Sequence, residues 1–336
     1  MSARVLDLPL RDPFTIARSS RTAAHNVLVE LSWRGLTGYG EAAPSTYYGE
    51  HPASVLAALD RLGPELGDDP YALDAIVGRW DRTLRGNPAA RAALEMALLD
   101  LIGKDCGRPV WRIWGLDPAT MPRTSFTIGI NTPDAMARKA AAAAEYPILK
   151  VKVGTGRDHE NLAAIRAVRS EATIRVDANA AWTARDAIAN VEPLLEFGLE
   201  FVEQPVAAND LAGLRFVRER LPVPVFADES CLRPEDLPRL AGVVDGVVLK
   251  VAKHGGPVAT RRLAEIARAL GLQIMIGCMV ESSLGIAAGC LVGPLADHAD
   301  LDGNLLLAAD PFRGLELVDG RWHLPAEPGL GVAIFS

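Results

Sequence analysis

Lysine is scarce in this chain: only six of its 35 basic side chains are lysine, namely Lys104, Lys139, Lys150, Lys152, Lys250 and Lys253. Positive charge as a whole falls short of the 42 acidic side chains and leaves a formal net charge of −7. Nucleic-acid binding, which needs a clustered basic face, is therefore not expected. Cysteine is limited to Cys106, Cys231, Cys278 and Cys290, with no C-x-x-C pair. That scatter argues against a disulfide framework and a structural zinc site. No apolar run approaches the roughly 20 residues that span a bilayer, so no membrane segment is expected. The polar opening Met1–Leu10 lacks the pattern of a secretory signal. A glycine-rich nucleotide turn is missing too, since Gly154-Thr155-Gly156 does not continue as G-x-G-x-x-G and is expected to be only a turn. These absences point to a cytoplasmic globular protein.

What the chain does have is size: 336 residues, 49% of them apolar, are enough for two domains. From about Thr124 onward, short β-branched or apolar runs alternate with Ala-rich amphipathic stretches. The runs are residues 125–130, 148–153, 173–177, 200–203, 223–228, 246–250, 272–277 and, more weakly, 297–302. Lys152, Asp177, Glu203, Asp228 and Lys250 are spaced 25, 26, 25 and 22 residues apart along them. Eight strand–helix units at that period define an α/β fold of the (β/α)₈ barrel type, and they fit a doubly wound open sheet less well. Residues 1–121 follow a different grammar. A hairpin is expected from residues 26–33 and 39–41, then helices over 51–62, 71–84 and 88–104, with Asn87-Pro88 as cap and first helical residue. The barrel is assigned to 122–309. Residues 310–336, with a hairpin at 315–324, are expected to pack back on the N-terminal α+β module.

Four of the six lysines fall into two pairs, Lys150-x-Lys152 and Lys250-x-x-Lys253. Arginine does not give up its proton in practice, whereas a crowded or desolvated lysine does. In such barrels catalytic groups sit at the carboxyl ends of the strands. That rule gathers Lys150, Lys152, Asp177, Glu203, Asp228 and Lys250 on one face. A lone acid at a strand end is often a helix cap or ion-pair partner. Three at one phase of consecutive units form an oxygen-rich site for a hard cation, most simply Mg2+. Lys150 and Lys152 share a strand face, with Lys250 roughly across the barrel. Crowding by Lys150 and the ion is expected to lower the pKa of Lys152, so that it takes an α-proton while Lys250 returns one to the opposite side. Lys150 and the ion would stabilise the enediolate.

The motifs Leu149-Lys-Val-Lys152, Val176-Asp-Ala-Asn179, Val202-Glu-Gln-Pro205, Ala227-Asp-Glu-Ser230 and Leu249-Lys-Val-Ala-Lys-His-Gly-Gly256 resemble the enolase superfamily, in particular its muconate-lactonising-enzyme subgroup. The resemblance covers essentially the whole chain. It implies a modified (β/α)₇β barrel closed by loops of a capping domain, Mg2+ on Asp177, Glu203 and Asp228, and Lys152 and Lys250 as the acid/base pair. Relatives in that family often form symmetric homo-oligomers. Asp300-Leu-Asp302 resembles dipeptide epimerases, where the pair binds the free α-ammonium of the substrate, and two acids at i and i+2 on a strand face one way and need a cation. Alternatively, Asp302-Gly303 is merely a turn. The segment Ile16-Ala-Arg-Ser-Ser-Arg21 resembles the capping loop of L-Ala-D/L-Glu epimerases, which implies Arg21 on the glutamate carboxylate, with Arg18 nearby and chemically able to do the same. Thr127 matches a substrate-lining threonine, residues 44–50 match the second closing loop, and Cys278–Ser283 is expected beside the site. Lys253 has no role beyond the motif. The implied activity is epimerisation of a dipeptide, most simply L-Ala-D/L-Glu. N-acylamino-acid racemase, o-succinylbenzoate synthase and muconate cycloisomerase are the alternatives within the subgroup.

Overall fold

The computed structural model of the chain describes residues 1–335. Its first layer is an antiparallel sheet of β1 (Ser2–Ile16), β2 (Ser19–Trp33) and β3 (Leu36–Ala42). The sequence reading missed β1. Its signal is the alternation that buries Leu6 and Leu8 while Val5 and Asp7 face solvent, obscured by the irregular register between Pro9 and Phe14. The expected hairpin exists as β2–β3, closed by a tighter turn in which Arg34 and Gly35 have φ of 49° and 79°. Two left-handed residues are what a two-residue hairpin turn requires.

Helices α1 (Pro52–Leu62), α2 (Leu73–Thr83) and α3 (Pro88–Asp105) follow, then a short α4 (Val110–Ile113). Pro88 opens α3 as expected, but Asn87 does not cap it. Its φ is 54° and its side chain makes no cap bond. The Glu50 carboxylate takes the Ala89 amide instead, at 3.1 Å. Fourteen of the 18 residues of α3 are buried, because the helix is sandwiched between the sheet and the barrel. Gly40 permits that approach: a Cβ there would lie 1.8 Å from the Ala93 carbonyl oxygen.

The second layer is a parallel eight-stranded sheet of β4 (Phe126–Ile128), β5 (Ile148–Lys152), β6 (Thr173–Asp177), β7 (Leu199–Glu203), β8 (Val225–Ala227), β9 (Gly246–Lys250), β10 (Gln273–Gly277) and β11 (His298–Asp300). The strands lie in sequence order. A bridge from Thr124 to Ala299 draws the first and last together into a barrel. Between them run α5 (Pro133–Ala142), α6 (Asp158–Val168), α7 (Ala184–Val191), α8 (Leu211–Arg218), α9 (Asp236–Leu240), α10 (Val251–His254) with α11 (Pro257–Ala269), and α12 (Ser283–Cys290). The eighth strand runs into a 3-10 turn, Gly303–Leu306, rather than a helix. The fold is thus the modified TIM barrel with an N-terminal antiparallel module. Gly154 to Gly156 forms a plain turn, with the Asp158 carboxylate accepting from the amides of Gly154 and Thr155.

After Pro311 the chain touches both layers. The hairpin of β13 (Glu316–Val318) and β14 (Arg321–His323) seats Trp322 in the barrel core, its indole N–H donating to the Leu301 carbonyl at 2.7 Å. Before and after it, β12 (Phe312–Arg313) pairs with β15 (Ala333–Ile334). Gly329 and Leu330 hydrogen-bond to Arg108, Val110 and Asp100 of the N-terminal module. Among the described residues, no helix is long and apolar enough to cross a membrane.

Candidate active site

One cavity opens at the carboxyl ends of the barrel strands, beneath the tip of the β1–β2 hairpin. Its lining includes Arg18, Arg21, Thr127, Lys150, Lys152, Asp228, Lys250, Asp300 and Asp302. Strand phase explains the gathering. Lys150 and Lys152 stand two apart on β5 and face inward together, while Lys250 ends β9, four strands around the barrel. Asp177 ends β6 and Glu203 ends β7, and the two are register partners. Asp228 follows β8 directly.

Lys150 lies at the centre of the charge. Its Nζ donates to Asp300 Oδ2 at 2.7 Å and sits 2.7 Å from Glu203 Oε2 and 3.1 Å from Asp177 Oδ2. Burial alone would favour the neutral amine, but Asp300, Glu203 and Asp177 drive its pKa well above the usual lysine value. Lys152 Nζ donates to Asp177 Oδ2 at 2.5 Å, and Lys250 Nζ to Asp228 Oδ2 at 2.7 Å. Burial opposes ionisation of Asp177 and Asp228. The lysines overcome it and hold both carboxyls below the ordinary range. Glu203 goes the other way. Burial and the charge of Asp177 push it up to about 8.

Whether the donor set suits Mg2+ can be tested on Glu203. Both of its carboxylate oxygens are buried without a hydrogen bond, the Lys150 ammonium lying close to one but off the bonding line. A buried carboxylate left so poorly satisfied between two others is chemically matched to a hard cation. Among the described residues no three acidic, histidine or cysteine side chains close into a ready-made cage. Lysine ammonium groups supply the positive charge between the carboxylates. The residues therefore fit the ion by chemistry, and an ion there would compete with Lys150, Lys152 and Lys250 for their partners.

The Asp300–Asp302 pair differs from expectation in one respect. β11 stops at Asp300, and Asp302 opens the 3-10 turn beyond it, so the two are not neighbours on one strand face. Both still line the cavity, with different partners. Asp300 is satisfied by Lys150 and by the Ser125 hydroxyl at 2.5 Å. Asp302 accepts the Thr127 amide at 2.6 Å, and burial together with the charge of Asp300 pushes it up to about 6. Among the described residues Asp302 is thus the member without an ion-pair partner. Arg21 lines the same cavity and makes no ion pair among the described residues. Burial and the neighbouring Arg18 charge pull its pKa down. Of the segment 278–283, Cys278, Met279 and Val280 line the cavity. Ser282 turns away to donate its amide to Glu41 of the N-terminal module, and Ser283 donates to Asp310.

The roles of several supporting residues escaped the sequence reading. Lys253 is buried and donates to Asp228 Oδ1 at 2.6 Å, to the Asp228 carbonyl at 2.7 Å and to the Val248 carbonyl at 2.9 Å. The Gln204 side chain accepts the amides of Asp228 and Ser230 and donates to Ser230 Oγ and the Val206 carbonyl. Asn179 returns its amide to Asp177 Oδ1 at 2.8 Å. Gln204 and Asn179 have φ of 35° and 47°. That uncommon backbone, just after the carboxylates on β7 and β6, was signalled only by the E-Q-P and D-A-N motifs. His254 and His298 lie outside the chemistry. His254 is half-buried, with its pKa lowered to about 3 by desolvation and Lys253, and His298 packs with Arg175, Phe201 and Phe226 beneath the barrel.

Comparison with known proteins defines the class. Residues 134–335 match the enolase C-terminal domain-like family and residues 2–115 match the mandelate racemase / muconate lactonizing enzyme N-terminal domain. The chain belongs to this enolase-superfamily family. It is 41% identical over 328 residues to the L-Ala-D/L-Glu epimerase of Bacteroides thetaiotaomicron, covering 97% of this chain and 85% of that one. It is 37% identical over 321 residues to the L-Ala-D/L-Glu epimerase of Escherichia coli, covering 94% and 97%. It also superimposes on the crystal structure of a dipeptide epimerase from Enterococcus faecalis complexed with Mg and L-Leu-L-Tyr, with a TM-score of 0.93, 33% identity and 99% and 98% coverage. With such full-length relatives, the chain is an isomerase of the racemase and epimerase type.

Proposed function

We propose that this protein is a Mg2+-dependent dipeptide epimerase that inverts the α-carbon of the C-terminal residue, with L-Ala-D/L-Glu as substrate. The observation that carries the proposal is the placement of Lys152 and Lys250 on opposite sides of one cavity, with three buried carboxylates between them. Asp177, Glu203 and Asp228 would hold the ion. When bound, Mg2+ supplies Lewis-acid charge to the substrate carboxylate and so acidifies the adjacent C–H bond.

The chain's own residues do the rest. Lys152, as the neutral amine, removes the α-proton from one face and becomes the ammonium. Lys250, held protonated by Asp228, delivers a proton to the other, and the reverse reaction exchanges their roles. Lys150 keeps its charge among three carboxylates and faces the negative charge that develops on the substrate as the proton leaves. Asp302, lacking a cation of its own, suits the substrate α-ammonium, with Asp300 beside it. Thr127 fixes Asp302 through its amide. Arg21, unpaired and partly desolvated, suits the glutamate side-chain carboxylate, which would relieve the cost of burying its charge. Arg18 suits that role less, because its guanidinium already donates to Glu229 and to the Asn179 carbonyl.

The test is α-proton exchange in deuterium oxide with Mg2+ and a dipeptide library. Deuterium should enter Ala-Glu dipeptides. Lys152→Ala and Lys250→Ala should each abolish epimerisation and leave exchange from one stereoisomer only. Incorporation mainly into hydrophobic or cationic dipeptides would overturn the glutamate assignment. Epimerisation surviving either lysine substitution would overturn the mechanism.

A further inference from the structure

Arg18 sits at the tip of the β1–β2 hairpin, yet its contacts lie on distant parts of the chain. Its Nη1 donates to Glu229 Oε1 at 2.7 Å and to the Asn179 carbonyl at 2.8 Å, both beyond the carboxyl ends of barrel strands. Its guanidinium carbon also stands 4.2 Å above the ring centre of Tyr47, in the second loop over the cavity. Tyr47 packs edge-on against Tyr48, which lines the cavity. One side chain thus joins the hairpin tip, the second loop and the barrel. Its partner is built to receive it. Glu229 is fully buried, its Oε2 has no hydrogen bond, and the other donor to its Oε1 is Asn179 Nδ2 at 3.4 Å.

We propose that Arg18 is a latch: a positioning residue that holds both loops closed over the cavity and fixes the hairpin tip from which Arg21 reaches the substrate. The proposal rests on the dipeptide reading above only for its kinetic consequences. A charge-assisted bond to a buried carboxylate contributes roughly 1.5–3 kcal/mol. Removing it shifts the closed-to-open ratio of the loops by roughly 10- to 100-fold. Apparent substrate affinity falls by the same factor as the closed fraction falls. Once substrate has bound and closed the loops, the reacting groups on the barrel are undisturbed.

The experiment compares wild type with Arg18→Met, Glu229→Gln, the double variant and Arg18→Lys. It reads kcat and KM for L-Ala-L-Glu with Mg2+, and amide hydrogen exchange in residues 14–22 and 44–50 without substrate. A latch predicts that Arg18→Met raises KM, by up to about 100-fold, and changes kcat less than about threefold. Exchange should quicken in those two segments and stay as in wild type elsewhere. The double variant should be no worse than the worse single variant, and Arg18→Lys should recover part of the loss. Unchanged exchange in both segments, or additive single effects, would overturn the latch. So would a fall in kcat accompanied by faster exchange throughout the chain. If the wild type turns over no dipeptide, the functional proposal falls, and the exchange measurements still decide the latch.

Discussion

Replacing Lys253 by methionine removes a buried ammonium and keeps most of the volume. All three of its protons are used, on Asp228 Oδ1, the Asp228 carbonyl and the Val248 carbonyl, at 2.6, 2.7 and 2.9 Å. The side chains of Lys253 and Asp228 are 0% and 2% exposed, so water cannot replace the lost partner without rearrangement. Breaking a buried pair on one side costs about 3–5 kcal/mol. Lys250 still holds the other Asp228 oxygen at 2.7 Å, which places the expected loss near the lower end, ~3 kcal/mol. With an unfolding entropy of ~2.1 cal/mol/K per residue over 336 residues, that loss lowers the thermal midpoint by ~4 °C. The control is Lys104→Met. Lys104 also pairs with a buried aspartate, at 2.6 Å, but is 24% exposed, and its loss should cost about 1 kcal/mol. The pH dependence has a definite sign. Asp228 is held below its unfolded pKa, so this stabilisation is present above about pH 4 and disappears as pH falls through the folded value. The deficit of Lys253→Met should therefore shrink in acid. Scanning calorimetry from neutral to acid pH tests it. A midpoint within 1 °C of wild type, or a deficit that grows as pH falls, would refute the role given to this lysine.

Two further outcomes are expected. Glu95 in α3 accepts the Val258 amide at the start of α11 at 2.6 Å, and burial pushes its pKa up to about 7. Its neutral form is the one the fold favours, so the stabilisation is complete near pH 4 and is lost as pH rises through 7. Glu95→Gln should match wild type in urea midpoint at pH 5 and exceed it at pH 8.5, and a gap independent of pH would contradict this. Asp302→Asn should raise KM for L-Ala-L-Glu by roughly 10- to 100-fold through loss of a charge-assisted contact, while Asp300→Asn should also lower kcat because it frees Lys150. Equal tolerance of both changes would favour a substrate without a free ammonium.

The inward-facing half of the site was legible because strand geometry leaves little freedom. A residue at the end of a barrel strand points inward or outward by parity within that strand, and the recurrence at 25 or 26 residues places Lys152, Asp177, Glu203 and Asp228 at equivalent ends of successive strand–helix units from β5 to β8. Lys150, Lys152, Asp177, Glu203, Asp228 and Lys250 could be gathered on that ground alone. Parity does not hold where strands stop. β11 ends at Asp300, so the orientation of Asp302 follows from the 3-10 turn and the Thr127 amide rather than from period two. Nor does any local pattern announce partners drawn from distant segments. Arg18 meets Glu229 across 211 residues, and Glu41 receives the Ser282 amide across 241. Both pairs join the antiparallel module to the barrel. Such contacts depend on how two separately patterned units dock, and each partner alone looks like an ordinary polar or charged residue. Lys253 shows the same limit at short range. Three residues after Lys250, it stood in the second lysine pair with no role beyond the motif. Yet the strand ends at Lys250, and the helical turn that follows carries Lys253 beneath Asp228. The two lysines therefore hold opposite oxygens of one carboxylate, Lys250 from the cavity side and Lys253 from the core. The scarcity of lysine thus marks two demands on one residue type: an ammonium that can exchange a proton, and a compact one with three donors that fits a buried gap where a guanidinium would not.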